Sequence, residues 1–91
     1  MYLHLGGDVS VRTGDIVAVC DLDNASTSHL TRAFLRQAER EGRVVNVAED
    51  LPKSFVVCAG EDGPVIYLSQ LNPATLLRRA ESGFLLDTNT L

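Results

Sequence analysis

The sequence predicts an α+β domain built on a mainly antiparallel sheet. Three observations carry that prediction. Short apolar runs separated by turn residues recur on both sides of one amphipathic segment. Two of those runs are joined by Gly60-Glu61-Asp62-Gly63, a tetrapeptide of the kind that closes a hairpin. Near the end, Asn72-Pro73 sets a helix cap beside a proline suited to the first helical position. The predicted order is β-β-β-α-β-β-β-α, with one long helix and a short second one.

Each element has its own warrant. Leu3 and Leu5 alternate with Tyr2 and His4, and Val9 and Val11 alternate with Ser10 and Arg12 across Gly6-Gly7-Asp8, which reads as strand, turn, strand. After the turn Thr13-Gly14-Asp15, the unbroken apolar run Ile16 to Cys20 suggests a strand buried on both faces. The polar stretch from Asp21 leads to Ser26, Thr27 and Ser28, good caps for a helix from about His29 to Glu41 that stops at Gly42. At about 100° per residue, Leu30, Phe34 and Ala38 lie one above another, with Leu35 at their edge, and are expected to face the core. Three more strands follow, 44–47, 54–59 and 64–69, then the short helix, Thr75 to Ser82, ending at Gly83. The division is a single domain over 1–83 and a C-terminal tail over 84–91.

A chain of 91 residues makes one domain with one thin core. With no tryptophan, leucine and valine must do most of the packing. Nothing at the start resembles a signal peptide, and no stretch approaches the ~20 apolar residues of a membrane span. A cytoplasmic protein is expected, without membrane contact. Cys20 and Cys58 sit in apolar strand runs, where a free thiol acts as a small hydrophobe.

No enzyme signature is present: no phosphate loop, nucleophile elbow, His-Glu-x-x-His helix or Cys-x-x-Cys pair. No catalytic residue, cofactor or metal is expected. Asp21 and Asp23 are better explained as acids of a turn than as cation ligands, and Ser26 and Ser28 as caps than as nucleophiles.

Charge is the informative feature. The formal net charge is −4. Yet segment 29–43 holds Arg32, Arg36, Arg40 and Arg43 against Glu39 and Glu41, a local excess of two positive charges. Measured from His29, Arg32, Arg36 and Arg40 fall within about 60°, opposite the Leu30–Phe34–Ala38 stripe. Such a row suits phosphates, or acids on a neighbouring copy, as well as it suits a solvated helix face.

The segments "YLHLGGDVSVRTGDIVAVCDLD", "REGRVVNVAEDLPKSFVV" and "VIYLSQLNPATLLRR" resemble the RemA/RemB family of small bacterial regulators. The resemblance spans about residues 1–80 and is most specific over Gly42 to Val57. It implies a LytTR-like subunit without enzyme activity, assembled into a ring of identical copies, which binds double-stranded DNA and regulates extracellular-matrix (biofilm) genes. Avidity around such a ring would multiply one weak patch. The family's DNA-contacting arginines match Asp15, Leu51 and Pro52 here, so none is carried over. The nearest cations are Arg12 and Lys53, which join Arg32, Arg36 and Arg40 as the nucleic-acid-binding candidates.

Pro52 stiffens the 49–53 loop, Glu49 and Asp50 keep it wet, and Leu51 is left exposed. Leu51 and Pro52, with Phe84 and Leu85 in the tail, are therefore the expected oligomer contacts. The strands over 3–5 and 65–68 are the sheet edges expected to be open. The alternative is an oligomeric interaction module that binds a protein partner or small signal and not DNA, favoured by the acidic balance.

Overall fold

The computed structural model describes residues 1–25 and 28–90, with side chains described for 1–23 and 28–81. The chain folds as α+β, with strands β1 (Tyr2–Gly6), β2 (Val9–Arg12) and β3 (Ile16–Asp21), a one-turn helix α1 (Leu22–Ala25), helix α2 (His29–Arg40), strands β4 (Val44–Asn46), β5 (Ser54–Cys58) and β6 (Val65–Ser69), and helix α3 (Pro73–Thr90). The predicted element order is thus found, apart from the extra turn α1 and a 3-10 turn over Thr13–Asp15 between β2 and β3.

β1 and β2 form a separate two-stranded antiparallel sheet. The other strands form a four-stranded sheet in the order β3-β5-β6-β4. Its β3–β5 and β5–β6 pairs are antiparallel and its β6–β4 pair is parallel. The central strands follow from the local hairpin over 60–63. There the chain turns so tightly that a Cβ on Gly60 would lie 2.6 Å from the carbonyl oxygen of Gly63, so glycine is required.

Two layers cover the sheet. On one face, Val56, Cys58, Tyr67 and Val19 meet Leu3, Leu5 and Val11 of the hairpin and Leu76 of α3. On the other, Phe55 and Ile66 meet Ala38 and Leu35 of α2, with Val44, Val57 and Leu68 alongside. Alternation along β5 sends successive side chains to opposite layers, as the two-residue strand period requires.

Four expectations need correction. β3 is not buried on both faces: it pairs only with β5, and Val17, at an irregularity in that pairing, is 68% exposed. The doubly buried strand is β5, which has a partner on each side. β6 is likewise internal and offers no open edge; β3 and β4 are the edges of the larger sheet. The second helix is the longer one, 18 residues against 12 for α2. Gly83 does not stop it, because one interior glycine costs only about 1 kcal/mol relative to alanine.

The fourth correction concerns α2. Leu30 is 78% and Phe34 is 39% exposed, and only Ala38 of the expected stripe is buried. The helix docks through Leu35 and Ala38. Ala38 is fully buried in the cluster with Phe55 and Ile66. The ends of α2 match expectation. The Ser28 hydroxyl accepts from Thr31 N–H at 3.4 Å. At the other end, Arg43 N–H donates to Ala38 O at 2.9 Å and Gly42 N–H to Glu39 O at 3.0 Å, with Gly42 at φ +71°. That is the paired C-terminal closure for which glycine is the favoured residue.

Candidate interaction surfaces

The loop between β4 and β5 is held at both ends. Val47 N–H donates to Leu68 O at 2.9 Å, Ala48 N–H to Asn46 Oδ1 at 3.0 Å and Glu49 N–H to Gln70 Oε1 at 3.0 Å. Lys53 N–H donates to Ser69 O at 2.8 Å, and Lys53 O accepts from Leu22 N–H at 3.0 Å. Between these anchors Pro52 is half-buried and Leu51 is 79% exposed, the most exposed of the large apolar side chains described. A leucine presented on a fastened loop costs little further entropy when a partner covers it.

This loop marks one end of the molecule. Asp21 of β3 lies opposite Ser54 of β5, Asp23 follows on α1, and the β1–β2 turn arrives beside Val47. Asp8, Asp21, Asp23, Glu49 and Asp50 therefore gather here against one lysine, Lys53. Asp21 Oδ1 accepts from Asp23 N–H at 2.9 Å, which closes the turn and explains this acid pair structurally. Leu51 and Pro52 thus sit at an acidic end of the molecule, whereas Asp15 precedes β3 at its other end, where its carbonyl accepts from Ala59 N–H at 2.8 Å.

The cations called from sequence do not converge. Arg32, Arg36 and Arg40 are exposed along α2, on one side of the sheet. Arg12 ends β2 in the hairpin layer, on the other side. Lys53 stands alone at the loop end. Arg43 is half-buried: its guanidinium donates to Pro64 O and to Glu41 Oε1, the latter at 2.6 Å, and so fastens the end of α2 to the β5–β6 hairpin. The same guanidinium holds the exposed Glu41 carboxyl below the usual carboxylate range. Arg43 is therefore a structural clamp.

Sequence reasoning missed Arg78 and Arg79. Both are exposed on α3, in the same layer as Arg12. Their adjacency was the available signal. Among the interface candidates, Leu51 and Pro52 lie on the loop just described, whereas the side chains of Phe84 and Leu85 lie outside the described residues.

The two thiols stand apart. Cys20 pairs across from Phe55 and Cys58 across from Ile16, and they belong to opposite layers. Burial pushes both thiols above their ordinary range, and for Cys58 the nearby Asp15 carboxylate adds to the effect. A raised thiol is a poor nucleophile at neutral pH. Among the described residues, no group of three or more His, Cys, Asp or Glu side chains is placed to hold a metal ion, and no helix is long and apolar enough to cross a membrane.

What these surfaces define is a small sheet-and-helix domain that presents exposed charge and isolated exposed leucines. The family model described as RemA-like, Extracellular matrix regulatory protein A-like, matches residues 2–80. Extracellular matrix regulatory protein B of Bacillus subtilis (strain 168) is 38% identical over 88 residues, covering 97% of this chain and 100% of the relative. The chain belongs to the RemA-like family.

Proposed function

We propose that this chain is a non-enzymatic regulator of extracellular-matrix genes that works as a ring of identical LytTR-like subunits and, so assembled, binds double-stranded DNA. Family membership over nearly the whole chain is the observation that carries the proposal. The structure supports one choice of DNA-facing surface over another. Carboxylates crowd the loop end and repel phosphate. Arg12, Arg78 and Arg79 share the hairpin–α3 layer, and each is exposed. Three cations per subunit form a weak site, and repetition around an assembly turns it into a strong one.

The test is a gel shift on a matrix-gene promoter, titrated with salt. Affinity should fall steeply as salt rises, because cation–phosphate contacts release counterions. The triple change Arg12→Glu, Arg78→Glu, Arg79→Glu should cost about tenfold or more at low salt. No shift by the assembled wild-type protein at low salt would remove DNA from the proposal.

A second reading is favoured by the acidic loop end with Leu51 at its tip: an oligomeric interaction module that binds a protein partner and not DNA. Affinity capture with the intact protein would then retain a protein and no nucleic acid.

A further inference from the structure

Helix α2 carries a second, uncovered face. The buried side points through Leu35 and Ala38. Turning away from it, Leu30, Ala33, Phe34 and Gln37 are all exposed. Their spacing is i, i+3, i+4, i+7, which puts them on one stripe that a partner can cover. Arg36 and Arg40 border this stripe on its outer side, about 6 Å apart along the helix.

The loop over 49–51 presents complementary features. Leu51 is 79% exposed, and Glu49 and Asp50 immediately precede it, both exposed. The side chains of Arg36, Arg40, Glu49 and Asp50 make no ion pair among the described residues. So one surface offers an apolar stripe edged by two guanidiniums, and another offers an apolar knob edged by two carboxylates. The anchors on the loop hold the knob in place before contact.

We infer that the loop over 49–51 of one copy docks on α2 of a second copy, with Leu51 seated against Leu30 and Phe34 and with Glu49 and Asp50 facing Arg36 and Arg40. The occupant is a second copy because the apolar and charged parts of the two surfaces complement each other within one sequence. The contact joins unlike surfaces, so it closes either reciprocally about a two-fold axis or head-to-tail in a ring. It leaves the hairpin–α3 layer free. The inference rests on the self-assembly part of the proposed function and is independent of DNA.

The test is molar mass in solution by multi-angle light scattering, without DNA, on the full chain. Two reversed variants are compared with wild type: Arg36→Glu with Arg40→Glu, and Glu49→Arg with Asp50→Arg. Every changed residue is exposed, so far-UV circular dichroism should match wild type. Each variant alone should lose the assembly at protein concentrations where wild type retains it, and an equimolar mixture of the two should regain mass through mixed contacts. Assembly that persists in both variants would overturn this contact while leaving self-assembly standing. So would loss in the single variants with no recovery of mass on mixing. A monomeric wild type would overturn the assembly itself.

Discussion

At the scale of single residues, two buried hydroxyls matter more than any charge. Ser69 is fully buried, and its hydroxyl donates to Leu5 O at 2.6 Å while accepting from Leu71 N–H at 3.1 Å. Ser54, also fully buried, donates to Leu71 O at 2.7 Å. Removing the Ser69 hydroxyl strands the buried Leu5 carbonyl, which would cost about 1–3 kcal/mol if left without water, and the part-buried Leu71 N–H. Ser69→Ala is therefore expected to lower unfolding free energy by about 2 kcal/mol, read from the midpoint of urea denaturation. An unchanged midpoint would mean that the hydroxyl contacts are replaceable by solvent. Neither serine stood out in the sequence, where both read as ordinary strand residues. Their importance comes from partners distant along the chain.

At the scale of elements, α2 separates what local patterning reveals from what packing decides. Its two ends were legible, because a serine cap and a closing glycine act through bonds to near neighbours. Its rotation was not. Leu30, Phe34 and Ala38 make a convincing apolar row at one-turn spacing, but the sheet selects Leu35 and Ala38. This yields a contrast that stability measurements can check. Leu35→Ala should destabilise by about 1–2 kcal/mol, less than a fully buried leucine would. Leu30→Ala, despite removing the same atoms, should stay within about 0.5 kcal/mol when both variants are compared at dilutions where the chain is monomeric. Equal effects would mean that the helix is rotated toward the arrangement expected from sequence. α3 teaches the reverse lesson. Asn72 caps it as its sequence implies, accepting from Thr75 N–H at 2.8 Å. Its far end was misjudged because a lone glycine is a weak stop.

At the scale of the whole molecule, the net charge of −4 hides its own distribution. Asp8, Asp21, Asp23, Glu49 and Asp50 lie where β3, β4 and β6 end and Asp15, Glu41, Glu61 and Asp62 at the opposite end, whereas exposed arginines lie along the helices and at the end of β2. The element order was recoverable from turn chemistry and apolar periodicity. Strand order was not, since edge and centre depend on pairings such as β4 with β6, which bring distant segments together. Hence the unbroken apolar run points Val17 to the interior although β3 is an edge, and the strand over 65–68 is internal although nothing local marks it so.

The division into two sheets has a dynamic consequence. Among the described residues no ladder hydrogen bond connects the β1–β2 hairpin to the four-stranded sheet; Leu3, Leu5 and Val11 hold it down, helped by the Ser69 hydroxyl. The first twelve residues can lift as a flap with the ladders of the larger sheet intact, losing the Ser69–Leu5 bond and uncovering Val56 and Cys58, so amide deuteration within 2–12 should run ahead of that in β5 and β6. Equal protection in both regions would show that flap and body open only together.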